Sequence, residues 1–174
     1  QLGCGNTHFE NPHGLHGEQH YTTASDLYKM TKYALTLPYF SDITAQTYYT
    51  LPATNKSASS RTVYTTNKMI SENTAENPYF YQYARGIKTG AHDQAGYCLV
   101  SSAVYNGYTY ICVALGAPSV DANGREITQR GESLDSKRLY RWAFTTLQKK
   151  DVLKSTDIVA DVKIDYVWDQ DRLQ

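Results

Sequence analysis

The strongest signal for the fold lies in residues 86–117, which read GIKTGAHDQAGYCLVSSAVYNGYTYICVALGA. Segments 95–105 and 108–115 have the apolar, alternating composition of β-strands, and the Asn-Gly pair at 106–107 is the strongest short signal for a hairpin turn. A further strand is predicted over 83–89, directly before them. We therefore expect three consecutive antiparallel strands.

Helical patterns precede these strands. Apolar side chains recur every three or four positions over 24–37, and Thr22 or Thr23 can cap this helix. A second, short helix is predicted over 41–48, with a serine at its start as the cap. The polar residues 50–62 are predicted to be an extended or hairpin segment.

A helix and a last strand follow. Ser133 can cap a helix over 134–147, and the apolar side of that helix is expected to consist of Leu139, Trp142, Ala143 and Thr146. Alternating apolar side chains over 158–168 predict a half-buried strand. The fold class is therefore α/β, of the α+β type: an antiparallel sheet flanked by helices.

Composition excludes several classes of function. The 174 residues include 17 basic and 17 acidic side chains, and no basic stripe indicates a nucleic-acid partner. No apolar run is long enough to span a membrane. The three cysteines leave at least one thiol free, and we expect Cys98 and Cys112, which lie in apolar strands, to be buried free thiols; the third is Cys4.

The candidate site is Lys88-Thr89-Gly90, at the end of the first predicted strand. A cationic Lys and a Thr hydroxyl on one strand can hold a carboxylate, and Gly90 leaves room for a substrate that lies alongside as an added strand. The backbone N–H of Ala91 can donate to an oxyanion. Three residues alone also fit an ordinary turn with an exposed lysine.

The surroundings of the tripeptide resemble the serine D-alanyl-D-alanine carboxypeptidases, the low-molecular-mass penicillin-binding proteins of peptidase family S11. The K-T-G strand and its hairpin, the preceding loop and helix, and the closing helix all have counterparts in the family's order. The stretches that carry the resemblance are residues 7–9, 11–15, 20–27, 67, 86–90, 95–103, 113–117 and 139–144.

The resemblance implies a β-lactamase/transpeptidase-like fold that is incomplete at the N-terminus. Residues 1–150 then form the C-terminal portion of the catalytic domain, and 151–174 form a linker and the truncated first strand of a C-terminal β-domain. The sequence begins at Gln1 without Met and ends at Gln174 within a predicted strand, so we expect both ends to be cuts.

The resemblance also implies an activity for the full-length parent. Such enzymes trim the terminal D-Ala from peptidoglycan stem peptides through an acyl-enzyme on the serine of S-x-x-K, and they bind β-lactam antibiotics without a cofactor. We expect a bacterial, extracytoplasmic protein, either secreted or associated with the cell envelope. Its partners are peptidoglycan peptides and β-lactams, and nucleic acid is not among them.

The catalytic residues of the family are missing from this chain. No serine is followed by lysine three positions later. Ser71-Glu72-Asn73 spells the S-x-N motif, but it lies after the loop at 11–15, whereas the family places the motif before that loop. We therefore expect the chain to bind substrate through the K-T-G strand and to be inactive alone.

Arginine and histidine candidates complete the predicted site. The resemblance also implies an arginine in the connection before the last helix that binds the substrate carboxylate; counting back from Trp142 favours Arg130 over Arg125. The resemblance implies that His13 lies at the rim of the active-site cleft. The histidines at 8, 13, 16 and 20 have a spacing that can bind zinc. The resemblance accounts for His8, His13 and His20 without a metal, as loop packing and rim groups, so no metal is expected.

Two alternatives remain open: a non-catalytic peptidoglycan-binding remnant, and a relative of the β-lactamases. The Asn-Pro-His-Gly-Leu loop at 11–15 and the strand at the C-terminus argue against the second. The resemblance implies that the strands beside 108–115 belong to the family's N-terminal part, so the strand at 108–115 is expected to have an open apolar edge. That edge predicts a homodimer or a segment swap.

Overall fold

The computed structural model describes residues 2–71, 75–149, 152–153, 156–158, 160, 162–163 and 172–173. Its elements, in chain order, are α1 (Ala24–Ala34), α2 (Phe40–Thr44), β1 (Tyr48–Leu51), β2 (Arg61–Tyr64), β3 (Ala84–His92), β4 (Gly96–Tyr105), β5 (Tyr108–Ala117), α3 (Gly131–Thr146), β6 (Val162–Lys163) and β7 (Arg172–Leu173). No helix within these ranges has the length and apolar character needed to cross a bilayer.

The three-stranded sheet is confirmed. Strands β3, β4 and β5 are antiparallel neighbours in that order, and β1 pairs with β2 as a separate hairpin. The turn between β4 and β5 has Asn106 at φ 48° and Gly107 at φ 75°, the positive values that a type I′ turn requires. The α+β fold class follows from this sheet and the helices packed against it.

The sheet is covered by helices on both faces. Ser101 of β4 lies 2.8 Å from the Tyr140 hydroxyl of α3, whereas Cys98 and Val100 line a groove with residues of α1. Because successive side chains of a strand point to opposite faces, α1 and α3 lie on opposite sides of the sheet. The buried core is concentrated on the α3 side and includes Leu99, Ala103, Tyr81 and Tyr140.

The predicted apolar side of α3 is wrong in part. Leu139 and Trp142 are 52% and 54% exposed. The side chains of α3 that are buried are Glu132, Ser133, Ser136, Tyr140 and Ala143. Small side chains let the helix approach the sheet closely, and Tyr140 is the large side chain buried on this face. Periodicity alone therefore predicted the wrong face.

Boundaries of all three helices also differ from the prediction. Helix α3 begins at Gly131, with no side-chain cap, and Ser133 lies inside the first turn, where its hydroxyl donates to Glu132. Helix α2 runs from Phe40 to Thr44 rather than over 41–48, so Ser41 lies inside the helix and does not cap it, and β1 begins at Tyr48.

Thr23 is the cap of α1, accepting from the N–H of Asp26 at 3.1 Å. This helix ends at Ala34, and single turns lead on to Pro38. A proline disfavours helical backbone geometry in the residue that precedes it. This explains why the helix ends before residue 37.

The predicted last strand over 158–168 lies largely outside the described residues. Within them, Val162–Lys163 pairs with Arg172–Leu173 in an antiparallel ladder. The domain boundary at 150/151 stays a prediction.

Candidate active site

The K-T-G tripeptide lies inside β3, which continues to His92 rather than ending at residue 89. Lys88, Thr89 and Gly90 pair with Val100, Leu99 and Cys98 of β4. On its other side β3 has no partner strand within the described part of the chain, so its backbone is open to an added strand there.

A groove runs between β3 and α1 beside the tripeptide. It has a volume of about 300 Å³ and is lined by Leu27 and Thr31 of α1, Ile87 to Gly90 of β3, Cys98 to Val100 of β4, and Leu115 of β5. Lys88 is exposed, and its Nζ donates to the carbonyl of Thr89. Lys88 and Thr89 both line this groove, so neighbouring residues of β3 bring a cation and a hydroxyl to this edge of the sheet, and both groups can bind a carboxylate.

Gly86 explains how β3 reaches this position. Its φ is +101°, and a Cβ there would lie 2.6 Å from the carbonyl oxygen of Thr44, at the end of α2. Only glycine permits this close approach. The strand can therefore pass directly against α2 before it enters the site.

Cys98 faces the groove and is half-buried, so the prediction that it is buried is wrong; Cys112 is buried as predicted. Burial raises the pKa of the Cys112 thiol, although Ser136 partly opposes the shift. All three cysteines are free thiols.

Thr66 was not among the predicted site residues, yet its hydroxyl lies 2.6 Å from the hydroxyl of Thr89. The next residue, Asn67, which the resemblance did include, is buried, and its Oδ1 accepts from the N–H of Met69 at 3.0 Å. The Nδ2 of Asn67 has no partner among the described residues. No local signal reveals the contact between Thr66 and Thr89, because 23 residues separate them.

The loop that contains His13 is held by hydrogen bonds among its own residues. Asn11 accepts from the N–H of Gly14 at 2.8 Å and donates to the carbonyl of Leu15 at 3.0 Å, while Nδ1 of His13 accepts from the N–H of Leu15 at 3.2 Å. No hydrogen bond or ring contact joins His13 to the tripeptide within the described residues. Its role at the rim stays a prediction.

The same loop approaches the end of β3 through a different histidine. The ring of His16 stacks on that of His92, with centroids 5.2 Å apart. His8 lies 2.7 Å from the carbonyl of Gln19, and His20 accepts from the N–H of Glu10. The four predicted histidines thus have separate partners, and no three potential metal ligands form a group in the described ranges.

Arg130 lies one strand away from the tripeptide. Its guanidinium is 4.0 Å from the centre of the Tyr97 ring, and Tyr97 pairs with Ala91 of β3. Glu132 is 4.0 Å from the same guanidinium. Arg125 is exposed, in a turn whose backbone donates to Asp121. The substrate-binding roles of Arg130 and Ala91 stay predictions.

Comparisons with known proteins agree with this geometry. The profile of the peptidase S11 family, described as D-alanyl-D-alanine carboxypeptidase, matches residues 1–119. The D-alanyl-D-alanine carboxypeptidase of Streptomyces sp. strain K15 is 32% identical over 74% of this chain and 42% of its own length. The D-alanyl-D-alanine carboxypeptidase DacF of Bacillus subtilis is 30% identical over 94% of this chain and 37% of its own length.

Solved structures show the same similarity in three dimensions. The crystal structure of the Streptomyces K15 DD-transpeptidase superposes with a TM-score of 0.66 at 27% identity, over 83% of this chain and 50% of that one. The chain therefore spans half the length, or less, of these relatives.

Proposed function

Because this chain belongs to the D-alanyl-D-alanine carboxypeptidase family, we propose that its β3 strand binds the D-alanyl-D-alanine end of peptidoglycan stem peptides in an enzyme that removes the terminal D-Ala. Peptidoglycan lies outside the cytoplasmic membrane, so we place the enzyme there. β-Lactams, which bind in place of the peptide, are the second class of ligand.

The position of the K-T-G tripeptide on the open edge of β3 is the observation that carries this proposal. A peptide lying along that edge gains backbone hydrogen bonds, while Lys88 and Thr89 offer a charge and a hydroxyl to its carboxylate. A Cβ on Gly90 would meet only the Cβ of Cys98, at an ordinary 3.6 Å. The fold does not need a glycine at this position, so we propose that Gly90 is there to leave room for the ligand.

The chemical step needs groups beyond this sequence. In the proposed reaction a serine attacks the peptide carbonyl, D-alanine leaves, and water releases the shortened peptide. The sequence contains no S-x-x-K. The 174-residue chain is therefore proposed to bind the peptide without forming an acyl-enzyme, and stable labelling by a fluorescent penicillin would contradict this.

Calorimetric titration with an N-acylated peptide ending in D-Ala-D-Ala tests the binding. Lys88→Ala and Thr89→Ala are expected to abolish measurable binding, because each removes a group that contacts the carboxylate. Lys56→Ala is the matched control, since it removes an exposed lysine from a remote loop. The proposal fails if the native chain does not bind, or if all three variants bind equally well.

The non-catalytic remnant is the second candidate, favoured by the missing S-x-x-K alone. Such a remnant would bind the same peptide as the carboxypeptidase but would not cleave it. Activity on addition of a polypeptide that supplies S-x-x-K and S-x-N would exclude it.

A further inference from the structure

A pair of threonine hydroxyls links the K-T-G strand to the segment after β2. Oγ1 of Thr66 and Oγ1 of Thr89 are 2.6 Å apart, at the short end of the range for hydrogen bonds between hydroxyls. Thr66 is exposed and Thr89 is half-buried. The pair therefore lies where a ligand held on β3 would meet it.

The direction of this hydrogen bond decides what Thr89 offers to a ligand. A hydroxyl has one proton and two lone pairs. If Thr89 donates to Thr66, its proton is occupied, and it presents only lone pairs. If Thr66 donates, Thr89 keeps its proton for the ligand. A carboxylate only accepts hydrogen bonds, so it binds favourably only to the second arrangement.

The backbone around Thr66 is fixed by its neighbours. The hydroxyl of Thr65 accepts from the N–H of Asn67 at 3.2 Å, and the N–H of Thr65 donates to the carbonyl of Thr47 at 2.8 Å. Asn67 is in turn bonded to Met69, which is fully buried. Thr66 is therefore presented by a segment anchored in the core, which lowers the entropic cost of orienting its hydroxyl.

We propose that Thr66 is a positioning residue for carboxylate recognition: its hydroxyl donates to Thr89, and Thr89 donates to the carboxylate of the ligand. Chains of hydrogen bonds polarise one another, and a charged acceptor strengthens the last bond. This inference rests on the proposed function, because it assigns Thr66 a part in holding the same D-alanyl-D-alanine carboxylate.

Titration of Thr66→Val and Thr66→Ser with two ligands tests the proposal. The ligands are the N-acyl-D-Ala-D-Ala acid and its C-terminal amide. Thr66→Val keeps the shape but removes the donor, and we expect affinity for the acid to fall about threefold to tenfold. Affinity for the amide should hardly change, because an amide can donate as well as accept. Thr66→Ser should keep the native affinity for both.

A double variant shows whether Thr66 acts through Thr89. In a Thr89→Val background, adding Thr66→Val should cause no further loss of affinity for the acid. An additive loss, an equal loss for acid and amide, or an unchanged or tighter affinity of Thr66→Val for the acid would each overturn the inference.

The controls separate this inference from the proposed function. If the native chain binds neither ligand, both fail. If binding depends on Lys88 but not on Thr66, only the inference fails. The unfolding midpoint of Thr66→Val should match that of the native chain, so that a weaker affinity cannot be attributed to misfolding.

Discussion

At the scale of single residues, two glycines in β3 differ in whether the fold requires them. Gly86 combines a φ of +101° with a close approach to the carbonyl of Thr44, so a side chain is excluded by the fold. Gly90 has no such constraint, because a Cβ there would make an ordinary contact with Cys98. The structure thereby separates a residue required for folding from one that we attribute to ligand binding.

Substitution of the two glycines should therefore have opposite consequences. Gly86→Ala is expected to lower the free energy of unfolding by about 1–3 kcal/mol, since it forces a strained φ and a steric overlap. Gly90→Ala should leave that free energy within about 0.5 kcal/mol of native but weaken binding of D-Ala-D-Ala peptides. Urea unfolding and peptide titration measure the two effects, and a destabilised Gly90→Ala would contradict the assignment.

Asp26 ties the N-terminal loop to α1 and makes stability depend on pH. Lys29 hydrogen-bonds to its carboxylate, as do the N–H of Asn6 and the hydroxyl of Thr7. The Lys29 hydrogen bond is the largest influence that holds the pKa of Asp26 below its usual value, although burial opposes the shift.

The sign of the pH effect follows from this lowered pKa. The stabilisation is fully present above the unfolded-state pKa of about 3.9 and is lost as the pH falls through the lower folded pKa. We expect Asp26→Asn to be less stable than native at pH 7, with the difference shrinking below about pH 4. Urea unfolding from pH 7 to pH 2 checks this; a constant difference would refute it.

At the scale of elements, features that local sequence determines could be predicted, whereas features that depend on long-range contacts could not. The β4–β5 hairpin was predictable because Asn106-Gly107 and the flanking apolar runs determine it locally. The buried side of α3 was not, because it depends on how closely the helix approaches the sheet. The hydrogen bond between Thr66 and Thr89 joins separate elements, so no local pattern in the sequence predicts it.

Tyr140 anchors α3 to the sheet and offers a test of this packing. Its hydroxyl accepts from the N–H of Cys112 at 3.1 Å and lies 2.8 Å from the hydroxyl of Ser101. Burial raises the pKa of Tyr140.

Removing this hydroxyl should leave a buried N–H and a buried serine without their partner. We therefore expect Tyr140→Phe to lower the free energy of unfolding by about 1–3 kcal/mol. Tyr64→Phe, at a highly exposed tyrosine of β2, is the control and should have no measurable effect. Equal stability of the two variants in urea would show that the Tyr140 hydroxyl does not hold the helix.

At the scale of the whole molecule, the second edge of the sheet is as open as the first. β5 has no neighbour beyond β4 in the described ranges, and Tyr108 and Leu115 on it are more than one third exposed. An open edge pairs readily with another strand. This supports the prediction that the chain associates with a second copy or with another segment.

Light scattering over a range of concentrations checks this association. We expect the average mass to rise with concentration towards a dimer, and Thr109→Lys on β5 to shift the equilibrium towards the monomer. Thr62→Lys on β2 is the matched control. A compact monomer at every concentration would contradict the prediction.

Binding of an N-acyl-D-Ala-D-Ala peptide to β3 can be mapped on the chain residue by residue with ¹H–¹⁵N NMR. We expect the largest shifts at the backbone amides of Lys88 to Ala91 and at Thr66, and we expect Lys88→Met to abolish them. Shifts confined to other surfaces, shifts that survive in Lys88→Met, or no shifts at all would contradict the claim that β3 binds the carboxylate of the peptide.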